Sequence, residues 1–362
     1  MNKISIVSAL FTLSLLTAFS YAAETASTYS FRDLGALPGG NAIGRHVSNV
    51  TDLVVGSSGA IHGGNTRAFI WTPPKGIADL GVFAGGDYSE AFSSNDQGDV
   101  VGDSNNAVSQ HAFIWNEKDG MRDLGALPGD NASRAYAINN SGQIVGYSSG
   151  PRGLRAVLWS KDLKIQPLGT LPGGDYSEAR AINNSGQVVG VSTSYTGKHA
   201  FLWTQQEGIV DLGVISGDAT SEALHIADNG FVVGSSHSRA ITRAFLWTKD
   251  TGIQDIGALP NSTYAEALDV NSLGVVVGAS QTPMGGRAFI WSKTGGAQDL
   301  NNLLPPNSAI ILVAALGINE DSKIVAIGTH HQGRSSATLM HPDDETHSGP
   351  LHVYLLTPAK TH

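Results

Sequence analysis

Tyrosine, glutamate and arginine side chains recur at matching places along the chain. Tyr88, Tyr176 and Tyr264 each lie two residues before a glutamate. Counting back five residues from the Asn or Asp of a recurring turn gives one equivalent position, occupied by Gly44, Glu90, Arg134, Glu178, a near match at Glu222, Glu266 and Ala314. Converging carboxylates would suit a cation, a basic group or a sugar, and their repulsion would raise some of their pKa values. The alternative is a solvated rim of ordinary acids. The predicted ligand-binding residues are Tyr88, Glu90, Arg134, Tyr176, Glu178, Glu222, Tyr264 and Glu266.

Histidines are concentrated towards the C-terminal end. Six of the 12 lie there, with three carboxylates among them: His330, His331, His341, His347, His352 and His362, with Asp343, Asp344 and Glu345. Imidazole and carboxylate groups suit a divalent ion such as zinc. The spacing of these residues matches no compact ligand motif, so we predict no metal site and no cofactor.

Candidate nucleophiles are few, and each has a structural explanation. The chain has no cysteine, which excludes disulfides and thiolate nucleophiles. Gly146-Tyr-Ser-Ser-Gly150 fits the G-x-S-x-G form of serine hydrolases, but that motif needs a strand–turn–helix elbow, and here the same strand end returns at Gly190-Val-Ser192. A further set of aspartates recurs too regularly for an active site, which needs one asymmetric cluster: Asp79, Asp123, Asp211, Asp255 and Asp299. We expect these aspartates to hydrogen-bond a neighbouring turn, and we predict no catalytic residue.

A period of 44 residues positions these side chains. All six tryptophans keep this interval: Trp71, Trp115, Trp159, Trp203, Trp247 and Trp291. In the best-formed copy, residues 178–183, 187–192, 199–204 and 208–213 read as four short strands. Asn183-Asn-Ser-Gly186 joins the first two, and its composition indicates a tight hairpin. No segment has the apolar spacing of an amphipathic helix, so we expect almost no helix.

Four short strands in each repeat indicate an all-β protein, a β-propeller of four-stranded blades. Stacking blade on blade buries both faces of each small sheet. Seven hairpin turns are present, near Asn49, Asn95, Asn139, Asn183, Asp228, Asn271 and Asn319. Seven blades of about 48 residues would fill the chain after its leader. Six or eight blades are the alternatives, because the first and last units are degenerate.

The chain ends are expected to close the ring. Residues 29–35 have the form of a fourth strand with no first three before it. In the last unit, residues 337–341 replace the tryptophan strand, and residues 352–357 form a final strand. We predict that the N-terminal strand completes the last blade, with the C-terminal strand as the alternative.

Composition and charge limit the classes of function. The 362 residues include 22 Lys+Arg and 31 Asp+Glu, for a formal net charge of −9. An acidic chain without basic runs is a poor nucleic-acid binder. Residues 1–23 combine Lys3, a short apolar run and small residues up to Ala23, which predicts a cleaved secretory signal peptide rather than a membrane anchor. We expect residues 24–362 to form a single propeller domain with no membrane span.

Several phrases of the repeat are characteristic together. His111-Ala-Phe-Ile-Trp, His199-Ala-Phe-Leu-Trp, Asp123-Leu-Gly-Ala-Leu-Pro-Gly and residues 181–190 are the best preserved. They resemble the extracellular HAF repeat family of bacteria, and the resemblance covers about residues 31–330. It implies an exported bacterial repeat protein and no particular activity. Arginine replaces the first residue of the triplet at Arg67, Arg243 and Arg287. We therefore expect the triplet to be a packing motif with a variable first residue, not a ligand set.

These observations predict an exported binding platform for an extracellular or periplasmic carbohydrate or protein partner. The protein is expected to be secreted or periplasmic and monomeric, with loops on one face supplying specificity. The alternative is a polysaccharide lyase or hydrolase on the same scaffold, since tyrosine, glutamate and arginine are suitable residue types, although a fold by itself implies no function. A third class is a structural or adhesive surface repeat.

Overall fold

The computed structural model describes residues 28–38, 40–59, 66–330 and 350–359. These residues form 28 strands and one short 3-10 helix, Leu300–Leu303, so the all-β class and the near absence of helix are confirmed for them. The predicted signal peptide and the predicted strand at residues 337–341 lie outside the described residues. Among the described residues, no helix has the length and hydropathy needed to cross a bilayer.

Units of four consecutive strands form antiparallel sheets in chain order. The first sheet contains β2 (Ala42–Val47), β3 (Val54–Ser58), β4 (Arg67–Thr72) and β5 (Gly76–Asp79). The second contains β6 (Ser89–Ser94), β7 (Val100–Asn105), β8 (Gln110–Asn116) and β9 (Gly120–Asp123). The third contains β10 (Ala132–Ile138), β11 (Ile144–Gly150), β12 (Gly153–Trp159) and β13 (Ile165–Pro167). The fourth contains β14 (Ser177–Ile182), β15 (Val188–Thr193), β16 (Lys198–Thr204) and β17 (Gly208–Gly213).

Two further units share an eight-stranded sheet. One unit contains β18 (Thr220–Ile226), β19 (Val232–His237), β20 (Thr242–Thr248) and β21 (Gly252–Asp255). The other contains β22 (Tyr264–Val270), β23 (Val276–Thr282), β24 (Gly285–Ser292) and β25 (Gly296–Asp299). A parallel pairing of Thr242 with Tyr264 joins them. Each unit keeps the strand pairing of the other sheets, so the join is a local contact between two similar units.

Both chain ends lie in the last sheet. It contains β26 (Ile310–Ile318), β27 (Ile324–His330), β28 (His352–Pro358) and β1 (Tyr29–Asp33), in that order. β1 pairs antiparallel with β28, with Phe31 opposite Leu356. The Leu34 N–H donates to the Val353 carbonyl at 2.9 Å. The N-terminal strand β1 is therefore the fourth strand of this sheet, as predicted. The C-terminal strand β28 is the third strand and lies beside β1.

Asparagine hairpins link neighbouring sheets. The Asn139 side-chain oxygen accepts hydrogen bonds from the backbone N–H groups of Ser141 and Gln143 at 3.1 and 2.9 Å, which closes the turn. The Asn139 amide group donates to the Asn183 carbonyl in the next sheet at 3.1 Å. Asn183 repeats the contact with the Ala227 carbonyl, also at 3.1 Å. The turn asparagine therefore stabilises both its own hairpin and the junction with the following sheet.

The core lies between adjacent sheets. Alternate side chains of a strand point to opposite faces, so the inner strands of each sheet can bury apolar residues on both sides. Val145 of β11 packs with Phe201 of β16 in one such cluster. Val54 of the first sheet packs in the same way with Val325 of the last. The apolar packing is therefore continuous across the chain ends.

A β-bulge in the first strand of each unit explains the repeated Val-Gly pair. In β14 the register skips Arg180 between Ala179 and Ala181. The Glu178 carbonyl lies so close to Gly190 of β15 that a Cβ there would be 2.0 Å from the oxygen. Only glycine allows this approach. Each bulge also leaves one extra residue outside the ladder.

The first residue of the His-Ala-Phe triplet pairs with the aspartate of the next strand. His199 Nδ1 lies 2.8 Å from Asp211 Oδ2, and Arg67 makes the corresponding ion pair with Asp79 at 3.1 Å. Asp211 Oδ1 also accepts a hydrogen bond from the Gly213 N–H at 2.7 Å. These contacts confirm a packing motif with a variable first residue, and they confirm that the repeated aspartates hold a turn.

Candidate ligand-binding site

A cavity of about 540 Å³ lies where the first strands of the units converge. Its lining residues come from β2, β6, β10, β14, β18, β22 and β26. The first strand of each unit is therefore the one that faces the cavity. Side chains at equivalent places on these strands face one common space, which is the geometry a ring of repeats needs to build a single site from residues far apart in sequence.

The eight predicted site residues divide into two groups. Five line the cavity: Tyr88, Glu90, Arg134, Glu222 and Glu266. Three lie outside its lining: Tyr176, Glu178 and Tyr264. Each tyrosine nevertheless donates its hydroxyl to the glutamate two residues later, at 2.9, 2.5 and 2.8 Å from Tyr88, Tyr176 and Tyr264. The Tyr-x-Glu spacing thus forms a hydrogen-bonded pair in three units, and in two of them the glutamate reaches the cavity.

The strand register corrects the alignment of two units. Gly44 pairs with Gly56 as Ala91 pairs with Gly102, so the equivalent of Glu90 in the first unit is Ile43, not Gly44. Glu222, taken as a near match, is a full equivalent, because the residue after it, Ala223, pairs with Gly234 in the same way.

The reason for the correction lies in the turns. Ser48 and Ala227 are the residues whose N–H groups close the two hairpins, to Leu53 and Phe231 respectively. The polar residues counted in the sequence, Asn49 and Asp228, are one place later.

The bulge residues form a second ring that sequence analysis missed. They lie two residues after the glutamate position, and all line the cavity: Arg45, Phe92, Tyr136, Arg180, Leu224, Leu268 and Leu316. If side chains alternated strictly between the two faces of the strand, these residues would not point into the cavity. The bulge interrupts the alternation and directs them inward. The signal was present as the repeated Val-Gly of the partner strand, which marks where the bulge must be.

One side of this ring is a band of alternating arginines and aromatic rings. The Arg45 guanidinium lies 5.3 Å from the Phe92 centroid, and Arg134 lies 5.2 Å from the same ring. Arg134 and Arg180 lie 5.8 and 4.9 Å from the Tyr136 centroid. These distances are within the range of cation–π attraction. The opposite side of the ring carries the three leucines, beside the carboxylates Glu222, Glu266 and Asp269 that also line the cavity. The cavity therefore has one cationic, aromatic side and one side of leucines and carboxylates.

Ion pairs hold the arginine band in place. Arg45 lies 2.9 Å from Glu90, and Arg134 lies 3.1 Å from Asp103, a fully buried residue of β7. Arg180 lies 3.4 Å from Glu178. Each guanidinium is therefore paired with a carboxylate and also lies over an aromatic ring.

The pKa shifts differ from the expected effect of converging carboxylates. Burial acts to raise the pKa of Glu90, but Arg45 and Arg134 outweigh it, and the pKa is lowered. Burial is likewise outweighed at Glu222, where a hydrogen bond with His237 and the charge of Arg180 lower the pKa to about 2. Glu90 and Glu222 are therefore not among the carboxylates whose pKa values are raised.

Asp103 behaves in the opposite way. Burial raises its pKa to about 6, although Arg134 opposes the shift. The expected repulsion contributes here, since Glu90 also raises the pKa of Asp103, but it is smaller than the effect of burial. The raised value belongs to a residue behind the cavity wall, not to the predicted ring.

Two histidines, His225 and His46, also line the cavity. His225 Nδ1 is 2.6 Å from Asp269 Oδ1, and Asp269 Oδ2 accepts the Ile318 N–H at 2.8 Å. Burial would lower the pKa of His225, but Asp269 outweighs it and the pKa is raised. His46 lies 3.1 Å from the Ser94 hydroxyl, and burial lowers its pKa to about 4. The surroundings therefore shift the pKa values of the two histidines in opposite directions.

A family model and the curated proteins give limited matches. Residues 174–338 match the family model described as "Protein of unknown function (DUF3466)". No curated protein matches the chain significantly.

Solved structures are similar in fold at low sequence identity. Virginiamycin B lyase from Staphylococcus aureus aligns over 91% of this chain and 100% of its own, with a TM-score of 0.56 and 13% identity. The β-propeller domain of the Trilobed protease from Pyrococcus furiosus aligns over 85% and 98%, with a TM-score of 0.53 and 7% identity. TolB from Acinetobacter baumannii aligns over 67% of this chain and only 61% of its own, with a TM-score of 0.48 and 11% identity. The lyase and the Trilobed protease domain each align over nearly their whole length. Together with the repeated four-stranded sheets, these two similarities identify this chain as a β-propeller.

Proposed function

We propose that the chain is an exported, seven-bladed β-propeller of HAF-type repeats that binds a carbohydrate in its central cavity. The blade count follows if β18–β21 and β22–β25 are taken as separate blades. One pair of residues in register, Thr242 and Tyr264, joins them, which is small beside the ladders within each unit. Seven first strands then surround one cavity.

The binding proposal rests on a difference between two repeat positions: the residue packed between sheets is the same in most units, whereas the residue facing the cavity varies. The third strand of five units places the same fully buried residue between sheets: Phe69, Phe113, Phe201, Phe245 and Phe289. The bulge position, which faces the cavity, changes from arginine to aromatic to leucine around the ring. Repeats under one packing requirement keep one residue, so the divergence of the bulge residues supports a role other than packing.

The chemistry of the two faces favours a carbohydrate. Sugar hydroxyls can accept hydrogen bonds from guanidinium groups and donate them to carboxylates such as Glu222 and Glu266. The apolar C–H face of a sugar ring can lie against the leucine side or an aromatic ring. The cavity volume of about 540 Å³ lies within the range of small-ligand sites. A protein partner that inserts a polar side chain could use the same groups and is the other outcome of the binding test.

The alternative of a lyase or hydrolase has less support. Burial raises the pKa values of Tyr88 and Tyr264, and the charges of nearby carboxylates, Asp103 and Glu90 for Tyr88 and Glu266 for Tyr264, raise them further. A tyrosine that holds its proton so firmly donates a hydrogen bond and does not act as a general base near neutral pH. Asp103 has a suitable pKa of about 6 but is fully buried. Binding without turnover is therefore the better account of these residues.

The test is a panel of neutral and acidic polysaccharides incubated with the purified chain from residue 24. Calorimetry would measure binding, and ultraviolet absorbance would measure release of unsaturated sugar ends. We expect binding of at least one glycan without product, and at least a tenfold loss of affinity, about 1.4 kcal/mol, in Arg180→Gln.

Arg122→Gln is the matched control, because Arg122 is exposed on β9 and away from the cavity. The proposal fails if no glycan binds, or if the two variants lose affinity equally. Release of unsaturated ends would establish the lyase instead.

A further inference from the structure

Three side chains of metal-ligating type meet at the sheet that contains both chain ends. Asp33 ends β1, His330 ends β27 and His352 begins β28, and one potential ligand atom from each lies within 4.8 Å of the other two. His352 Nδ1 is 2.9 Å from Asp33 Oδ2, and His330 Nε2 is 3.6 Å from the same oxygen. We call Asp33, His330 and His352 the terminal triad. It lies outside the central cavity, in a part of the fold that the proposed binding function does not use.

Comparison with the other units shows what is special here. His199 pairs with Asp211, and His111 with Asp123, in the same way that His352 pairs with Asp33. These contacts are the ordinary link between third and fourth strands. The terminal sheet adds a third group, because His330 lies two residues beyond Gly328, the register partner of His352.

The corresponding place in another unit carries no such group. Ser192 is the register partner of His199, so the equivalent of His330 in that sheet is Ser194. The Ser194 hydroxyl donates to the Gly197 carbonyl within its own loop, at 3.0 Å. A third ligand is therefore an addition to the repeated His–Asp pair and not part of it.

We propose that the terminal triad binds a divalent transition-metal ion of the zinc type. Two imidazole nitrogens and one carboxylate oxygen are a donor set that zinc accepts, and three protein ligands leave a position for water. The His330 side chain is 50% exposed, so its ring can turn to meet an ion shared with the other two groups. The triad is open on the solvent side, which provides the entry path.

Packing behind the triad holds one ligand in orientation. The Tyr354 ring is fully buried and stacks on His352, with centroids 6.2 Å apart and planes 22° from parallel. The Tyr354 hydroxyl has no hydrogen-bond partner among the described residues, and Tyr354 is the register partner of Asp33. Fixed rings and carboxylates lose less freedom when they take up an ion.

Metal binding would tie the two chain ends together. Asp33 and His352 are 319 residues apart, so the complete triad exists only in the folded chain. A ligand that binds the folded state and not the unfolded state stabilises the fold. The ion would therefore act as a clasp across β1, β27 and β28, where the ring is closed without a covalent link.

The experiment uses the chain from residue 24 without an affinity tag, stripped of metal with a chelator. Calorimetry with zinc chloride should give one saturable site per chain, and zinc should raise the melting temperature. Asp33→Asn and His330→Gln should each weaken zinc binding at least tenfold, since even loss of an outer partner of a metal ligand costs about 10–100-fold in affinity. The matched control is His199→Gln, which removes a histidine from an ordinary His–Asp pair and should leave zinc affinity unchanged.

Two results would overturn the proposal. One is the absence of saturable zinc binding by the intact chain. The other is undiminished binding in His330→Gln, which would assign the zinc to other histidines of the chain. The melting temperature of each variant in chelator shows whether it is folded, and His330, being half exposed, is the substitution least able to disturb the sheet. Glycan binding measured on the same samples keeps this result separate from the proposed function.

Discussion

The Asn319 side chain donates a hydrogen bond to the Ser48 carbonyl at 3.0 Å, across 271 residues of sequence. The same contact runs from Asn139 to Asn183 between units adjacent in the chain. The last unit thus meets the first through the contact that joins consecutive units. The junction of the last and first units therefore uses the same contact that the repeat supplies elsewhere.

Asn319→Ala should lower the free energy of unfolding by about 1–3 kcal/mol, because it leaves the buried Ser48 carbonyl without its donor. Asn183→Ala removes the equivalent contact inside the ring and should cost a similar amount. Urea unfolding followed by tryptophan fluorescence measures both values. A loss confined to Asn183→Ala would mean that the first and last units are not joined as the others are.

Removal of residues 24–35 should lower the melting temperature sharply. The deletion takes away β1, exposes the edge of β28, and removes the buried side chains of Tyr29 and Leu34. Burial of one such side chain contributes about 1.5–3 kcal/mol. Differential scanning calorimetry of the two chains, both in chelator, measures the effect. An unchanged melting temperature would show that β1 is not needed to close the ring.

Arg134 should be needed chiefly to compensate a buried charge. Arg134→Met removes the cation that pairs with the buried Asp103 carboxyl group, and loss of one partner of a buried pair costs about 3–5 kcal/mol. The pKa of Asp103 is already raised to about 6 in the folded state, above its value in the unfolded chain. Its protonation therefore favours the folded state as the pH falls, and the loss in Arg134→Met should be smaller at pH 5 than at pH 7.

The double variant Arg134→Met with Asp103→Asn separates charge from packing. Both groups are then neutral, so the double variant should be more stable than Arg134→Met alone at pH 7. Urea midpoints at the two pH values provide the comparison. Equal losses at pH 5 and pH 7, with no recovery in the double variant, would show that Arg134 acts by packing on Phe92 and Tyr136 instead.

Much of the fold could be predicted because its determinants are local. The 44-residue spacing, the Asn-Gly turns and the four extended segments are all visible in single repeats, and the strands follow them. The strand that carries the candidate residues could be located for the same reason, and five of the eight predicted residues line the cavity. Because every unit packs against similar neighbours, the residues that this packing requires recur in each repeat and can be recognised in the sequence.

Two kinds of feature were missed in the sequence: turns that depart from the repeat in single units, and a bulge and contacts that the strand pattern does not reveal. Ser48 and Ala227 replace the turn asparagine, and each displaces the next polar residue by one place in a count made from the turn. The bulge hid Arg45 and Arg180, because alternation of faces is the only rule a strand pattern supplies. The lowered pKa of Glu90 depends on Arg45 and Arg134 of the two neighbouring units, a relation that no single repeat contains. The lowered pKa of Glu222 depends on His237 of the adjacent strand and then on Arg180 of the preceding unit.

His46 should make the stability of the protein fall in mild acid. Burial lowers its pKa to about 4 in the folded state, against about 6.5 in an unfolded chain. The folded state therefore disfavours protonation, so the contribution of neutral His46 is fully present above pH 6.5 and is lost as the pH falls towards 4. Between pH 7 and pH 4.5 the intact chain should lose about 2–3 kcal/mol more than His46→Gln, which carries no titrating group at this position.

The comparison needs a control that titrates in the opposite direction. His225 has a raised pKa because of Asp269, so its contribution is present at low pH and disappears as the pH rises through its folded-state value. His225→Gln should therefore reduce stability more at pH 5 than at pH 8, whereas His46→Gln should narrow the difference between neutral and acid conditions. Urea unfolding across this range measures both variants. If His46→Gln and the intact chain lose stability in parallel as the pH falls, then the acid sensitivity comes from other groups and His46 is not held neutral by its surroundings.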